Sequence, residues 1–305
     1  MKYYEKQIKL DNPLSFWRHF ENEEKFSFYN PIKKELILGA KRLKAVSIDE
    51  SIKDYLYVFS SMTFFNSIKD EKWAGFGNEN VAFEYYLVEK DGKQTFYYFQ
   101  DLVEIENREV EVCQHSYIYE MDDYEAWTQM FSAAKDAISK EEVNKVVISR
   151  EVKIECGALI NVESVLQKLL RQSINSFVFG YFKDGKTFLG ATPEILVQKD
   201  KNRVLSYALA GTILRSNEND ELQKEALLTD TKNRHEHQIV IDSIVKVMKR
   251  FTDELIVDET RILTLKNLHH LQTAIHGTDK NSTLLQWVKR LHPTPALGGN
   301  PVDKA

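Results

Sequence analysis

The sequence predicts an α+β fold, largely antiparallel sheets with helices packed outside, and three observations carry that expectation. Aspartate–glycine turns at Asp91-Gly92 and Asp184-Gly185 separate runs of aromatic and β-branched residues, the strongest short-range hairpin signal. Longer stretches, 122–139, 162–173 and 229–251, repeat their apolar residues at helical spacing. A 43% hydrophobic and 11% aromatic composition over 305 residues is enough to build the core of one large domain or two ordinary ones.

Taken in order, residues 1–115 form a first, variable part. ELILGAKRLKAV reads as strand and turn, and SIDESIKDYLYVFSSMTFFNSI as a helix entered from Ser47 or Asp49. VAFEYYLVEKDGKQTFYYF is the first hairpin. The second region, 116–305, opens on a helix whose face carries Trp127, Met130, Phe131, Ala134 and Ile138. VNKVVISREVKIE then alternates like a strand, with Lys145, Val147 and Ser149 on one face. The helix VESVLQKLLRQS leads into an antiparallel meander, FVFGYF, TFLGATPEILVQ and RVLSYALAGTILR. ELIVDETRILTLKNLHHLQTAIHGT returns to strand, Asn281 or Ser282 caps a last helix, and LHPTPALGG turns the chain.

Charge and cysteine content exclude several classes of function. At a net charge of −5, the basic cluster Lys33, Lys34, Lys41, Arg42, Lys44 is balanced elsewhere, so no nucleic-acid footprint is present. The two cysteines, Cys113 and Cys156, lack the spacing of a disulfide framework or zinc site and read as reduced thiols. MKYYEKQIKL has no apolar leader, and no window approaches the roughly 18 apolar residues of a membrane span. The expectation is a cytoplasmic protein with no membrane, nucleic-acid or obligate protein partner.

The segment TDTKNRHEHQIVIDSIVKVMKRF, 229–251, is the most informative. Val240, Ile244, Val247, Met248 and Phe251 make one helical stripe, and Glu236 lies on its extension, where an acid must be paired, metal-bound or at the frayed edge. Thr229 or Asp230 is the expected N-cap, close enough for the helix dipole to favour an ionised Glu236. His235 and His237 point in different directions on a helix and lack the i, i+4 spacing of a zinc protease, so they read as orienting or solvent-facing. Lys145 and Glu194, each on another element, are the other two charged residues of interest. Singly, such side chains are ordinarily exposed and weakly paired.

The segments KVVISR (145–150), FLGATPEIL (188–196), ALAGT (208–212), DTKNRHEH (230–237), HLQTAIHG (270–277) and LHPTPALGG (291–299) resemble, in order and wording, those of the chorismate-binding enzymes. That family includes isochorismate, salicylate, anthranilate and aminodeoxychorismate synthases. The resemblance covers about residues 120–305, is nearest to an isochorismate synthase, and implies the chorismate-utilising fold. It makes Lys145 the base that activates water, a role requiring a desolvated amine of lowered pKa. Glu194 becomes the acid that protonates the departing C4 hydroxyl while water adds at C2, which requires a raised pKa. Glu236 becomes the Mg2+ ligand that gathers the substrate carboxylate. Ala210, Gly211 and Thr212 would offer amides and a hydroxyl to chorismate, with His270 beside its ring. Lys145 favours water as nucleophile over ammonia, and Ala210 stands where aminodeoxychorismate synthases carry lysine. Salicylate synthase shares both features. ILRS at 213–216 replaces the family's usual RPRG wording, and the family continues beyond LHPTPALGG with a second magnesium glutamate, whereas the sequence stops at Ala305. On that resemblance, residues 1–305 alone are expected to be a C-terminally incomplete fold with little or no turnover; the expectation is an isochorismate synthase for menaquinone rather than siderophore synthesis, and the alternatives are a salicylate synthase or other chorismate-utilising enzyme, or a silent fragment.

Overall fold

The hairpin at Asp91-Gly92 forms where the sequence places it: Glu79–Lys90 pairs antiparallel with Lys93–Tyr98. Both turn residues take the left-handed conformation, φ 50° and 73°, that a two-residue turn between twisted strands requires. A computed structural model describes residues 2–47, 52–65, 70–110, 117–119, 123–173 and 175–305. The chain divides into two units, Met1–His115 with Ala158–Pro193, and Ser116–Gly157 with Glu194–Ala305.

In chain order the elements up to residue 193 are β1 (Tyr4–Ile8), α1 (Ser15–His19), β2 (Lys25–Asn30), β3 (Glu35–Ala45), β4 (Phe59–Ser61), β5 (Glu79–Lys90), β6 (Lys93–Tyr98), β7 (Tyr117–Tyr119), α2 (Tyr124–Ser139), β8 (Ile154–Cys156), α3 (Val162–Gln172), β9 (Phe177–Lys183) and β10 (Lys186–Thr192). There follow β11 (Gln198–Asp200), β12 (Arg203–Leu214), α4 (Asp220–Thr229), α5 (Thr231–Met248), β13 (Leu255–Val257), β14 (Arg261–Thr264), β15 (Leu268–Thr278), α6 (Leu284–Leu291) and α7 (Pro295–Gly298).

The first unit is built on an antiparallel sheet in the order β1-β6-β5-β3-β2-β9-β10, with β4 beside β5. Alternation buries both faces. Leu38, Leu87 and Phe96 meet Phe16 and Trp17 of α1 and Leu166 of α3 on one side, while Phe26, Phe83, Tyr86 and Tyr181 cluster on the other. Lys25 is buried at the start of β2, where its Nζ donates to the carbonyls of Phe20 (2.7 Å) and Glu21 (2.8 Å) just past α1. The ammonium also lies over the rings of Trp17 and Phe182, 5.1 and 4.7 Å from their centroids.

The second unit has a sheet in the order β11-β12-β15-β13, with β14 also on β15. The stripe of α5 packs on it: Val240, Ile244 and Met248 meet Val204, Ala208 and Ile275. Phe251 falls beyond the helix end, exposed, with the Arg290 guanidinium 3.7 Å over its ring.

Four expectations about elements are corrected. Within 47–68, the described residues form a single-turn 3-10 helix, Ile52–Asp54, and the strand β4 paired to β5, joined by irregular backbone rather than by a long helix; residues 48–51 and 66–68 lie outside the described residues, as does Cys113. Aromatic and β-branched side chains there find a strand edge to join, and tertiary pairing overrides the helical spacing. The ladder that the alternation of 145–153 predicts is absent among the described residues, where only a bridge between Lys145 and Asn300 forms before β8. The helix α2 forms, but Trp127 is 36% and Phe131 47% exposed, so its apolar face is not core among the described residues. The last helix, α6, is capped by Thr283, whose hydroxyl accepts from Gln286 N–H while Gln286 Oε1 accepts from Thr283 N–H. The amides of Asn281 and Ser282 instead go to Asp279.

Candidate active site

Asp230 separates α4 from α5 and starts the latter: its Oδ1 accepts the Asn233 amide at 2.7 Å. One turn later Glu236 projects as a half-buried carboxylate with a lysine at each oxygen. Lys145 Nζ lies 3.6 Å from Oε1, and Lys232 Nζ donates to Oε2 at 2.9 Å. Burial pushes the Glu236 carboxyl up, but Lys232 and then Lys145 outweigh it and hold the group below the usual carboxylate range.

Lys145 is 7% exposed although no ladder surrounds it. The turn at α7 provides its seat. Asn144 and Lys145 amides donate to the Asn300 carbonyl, the Asn300 amide returns a bond to Lys145 O at 2.8 Å, and Lys145 Nζ donates to the Ala296 carbonyl at 3.3 Å. Gly299 permits this approach, because a Cβ there would lie 2.7 Å from the Lys145 carbonyl. The segments KVV and LHPTPALGG, remote in sequence, are thus one structure. Burial lowers the Lys145 amine below its ordinary value, against the opposing charge of Glu236.

Glu194, in the irregular segment that follows β10 in the chain, feels the Lys145 charge. Burial raises its carboxyl above the ordinary carboxylate value, and Lys145 opposes that rise without cancelling it. Lys145, Glu194 and Glu236 are therefore brought into one electrostatic group. An acid pushed up and an amine pushed down by the same exclusion of water are suited to proton transfer in opposite directions.

Ala210, Gly211 and Thr212 form a second group with His270. The register of β12 on β15 shifts between Ala210 and Thr212, and Gly211 occupies the shift at φ 81°, where glycine is favoured. The shift puts Thr212 opposite His270, and Thr212 Oγ1 is 2.8 Å from His270 Nδ1. Burial lowers the His270 pKa, against the favouring effect of the Gly211 backbone. His270 bonds to Thr212 and not to Lys145. The Thr212 amide donates to Asn233 Oδ1 at 3.3 Å, so it is engaged within the protein.

His237 is buried, its Nε2 2.8 Å from Thr273 Oγ1, and burial brings its pKa down to about 4. Its Nδ1 meets no group at hydrogen-bonding geometry; the Ala210 backbone lies near enough to favour the charged ring, but burial dominates. His237 therefore orients α5 on β15, while His235 is exposed. Three participants escaped sequence reasoning. Lys232 was legible as an i, i+4 partner of Glu236 and Asn233 as third after a capping aspartate, whereas the Ala296 carbonyl left no side-chain signal.

Among the described residues no group of three or more His, Cys, Asp or Glu side chains could cage a metal ion, and no helix is long and apolar enough to cross a membrane. A cation here would rest on Glu236 and on groups brought from outside the chain.

The chain is similar to known proteins along most of its length. It is 36% identical over 187 residues to isochorismate synthase MenF of Bacillus subtilis, a match spanning 60% of this chain and 40% of that one. It is 36% identical over 183 residues to isochorismate synthase EntC of Escherichia coli, spanning 58% and 46% respectively. The chain thus spans less than half the length of these curated relatives. The solved structure of MenF, the menaquinone-specific isochorismate synthase from Escherichia coli, superposes with a TM-score of 0.82 at 20% identity, covering 99% of this chain and 76% of that one, which shows a common fold. The family model described as chorismate binding enzyme matches residues 17–305, so most of the first unit is included as well as the six segments. On that match, the chain belongs to the chorismate binding enzyme family.

Proposed function

We propose that the protein acts on chorismate as an isochorismate synthase, and the observation that carries this reading is a buried Lys145 paired with Glu236 and close enough to Glu194 to act on its charge. In this proposal Lys145 takes a proton from water as that water adds at C2. The ring double bonds shift, the C4–O bond breaks, and Glu194 delivers the proton with which the C4 hydroxyl leaves as water. Return of the proton from Lys145 to Glu194 resets the site, so the reaction is an isomerisation with no external oxidant or reductant. Burial supports both assignments, because it moves the amine toward its neutral form and the carboxyl toward its protonated form. Gly211, Thr212 and His270 would grip the substrate, the Thr212 hydroxyl and not its amide serving as the polar contact.

Magnesium fits Glu236 as a single protein anchor. The ion is commonly held by one or two carboxylates and completes its shell with water and substrate oxygens. Lys232, whose side chain is 78% exposed, is free to swing away from Oε2. When bound, the ion supplies positive charge for the substrate carboxylate.

The test is incubation with chorismate and magnesium, with chromatographic identification of the product. Isochorismate supports the proposal; release of pyruvate with salicylate moves the assignment to salicylate synthase, and unchanged chorismate removes it. For the pathway we propose menaquinone synthesis, on fold likeness to the menaquinone-specific enzyme alone. Loss of menaquinone in cells lacking the gene checks it.

A further inference from the structure

The Ala210–Thr212 bulge lies against the first turn of α5. A Cβ on Gly211 would sit 3.3 Å from both the Cβ and the carbonyl oxygen of Asn233, so any larger residue would push the two apart. The Asn233 side chain occupies the junction. Its Oδ1 accepts the Thr212 amide at 3.3 Å, and its Nδ2 donates at 2.8 Å to Asp230 Oδ1, the oxygen that also caps the helix. Flipping the amide would set N–H against N–H at one end and oxygen against carboxylate at the other, so its orientation is fixed at both ends. Glu236 follows three residues later, about 4.5 Å along the same rigid helix. One side-chain amide therefore ties the bulge that bears Thr212 and faces His270 to the helix that bears Glu236.

We infer that Asn233 is a positioning residue that couples the two halves of the site, so that a substrate anion held at the bulge and a divalent cation held at Glu236 strengthen each other's binding. This rests on the functional reading above. Coupling of this kind is reciprocal, and its usual size is roughly a 5- to 150-fold change in affinity. A loose bulge leaves each ligand its own contacts but removes the fixed spacing through which one helps the other.

The experiment titrates the equilibrated chorismate–isochorismate mixture by calorimetry without magnesium and at saturating magnesium chloride, and takes the ratio of the two apparent Kd values. Wild-type protein should give a ratio of at least about fivefold, and Asn233→Ala a ratio several times smaller, reduced to the part that direct attraction between the ion and the substrate carboxylate supplies. The exchanged pair Asp230→Asn with Asn233→Asp preserves a cap, keeps a side-chain oxygen at position 233 to accept the Thr212 amide, and interchanges donor and acceptor only between positions 230 and 233, so it should recover the wild-type ratio. A purely structural role would lower Tm but leave the ratio unmoved. A folded Asn233→Ala protein with the wild-type ratio overturns the inference. Amide exchange at Thr212 in the free wild-type protein is a second readout that needs no variant to fold: slow exchange supports the clamp, and exchange at the rate of an open loop overturns it. Absence of any binding by wild-type protein removes the functional reading and the coupling with it, while the exchange measurement still decides whether the clamp exists.

Discussion

Lys145 is buried because two backbone segments close around it, and the hydrogen bonds that tie those segments together are backbone to backbone and do not depend on its side chain. Lys145→Ala should leave Glu236 paired with Lys232, keep the melting temperature within a few degrees, and lower chorismate turnover by on the order of a hundredfold or more, as loss of a general base does. Near-normal turnover in that variant would remove Lys145 from the base role. Glu194→Gln should behave differently, since the amide copies the carboxyl in shape but has no proton to give. Substrate affinity should persist while kcat collapses, and a parallel loss of affinity would mark Glu194 as a binding residue. The sequence made these residues legible through wording shared with a family, because none stood out alone from ordinary surface charge. Their electrostatic setting was not legible. The lowered Lys145 depends on burial by a segment about 150 residues away and the raised Glu194 on burial that its own wording does not encode, and the Ala296 carbonyl is a backbone group that any residue would supply.

Elements with a strong local signal formed as expected, and those whose partners decide their state did not. The Asp91-Gly92 and Asp184-Gly185 turns needed only their own residues to adopt positive φ, and α5 carried its stripe and its Asp230 cap within one segment. Segment 47–68 and the stretch after Lys145 had strand or helix character that depended on an edge to pair with, which periodicity cannot foresee. Lys25 exemplifies a feature of the same kind: a charged residue at the head of a strand, buried by α1 and by β9. Burial brings its amine down to about 8 from 10.5. Between those two values the unfolded chain holds a proton that the folded one has released, so stability rises with pH across that window and the penalty is fully present below about 8. The attraction of Trp17 and Phe182 for the ammonium offsets part of it, leaving on the order of 2 kcal/mol. Thermal melts at about pH 7 and about pH 10 should show a stabilising rise in wild-type protein that is absent in Lys25→Met. An equal rise in both proteins would assign the pH dependence to other groups.

At the scale of the molecule, composition foretold enough apolar surface for a substantial core, and both units have one. It did not foretell where apolar surface remains outside. The clearest case is α2, whose Trp127 and Phe131 rings stack 5.3 Å apart at 12°, with Met130 and Ile138 also exposed. A stripe at helical spacing is ordinarily read as core, and solvent exposure along four turns is the pattern of a surface that sticks to something. The expected behaviour of the protein is concentration-dependent self-association and binding of an apolar dye, both arising from this helix. Trp127→Glu combined with Phe131→Glu should suppress both, measured by sedimentation and dye fluorescence. Tm should shift little, because substitutions on a solvated helix face usually change stability by about 0.5 kcal/mol or less each. A large fall in Tm would show that the stripe is packed in solution, and an undiminished tendency to associate would place the adhesive surface elsewhere, with the exposed Val147 and Val152 in the irregular stretch after Lys145 as the next residues to change.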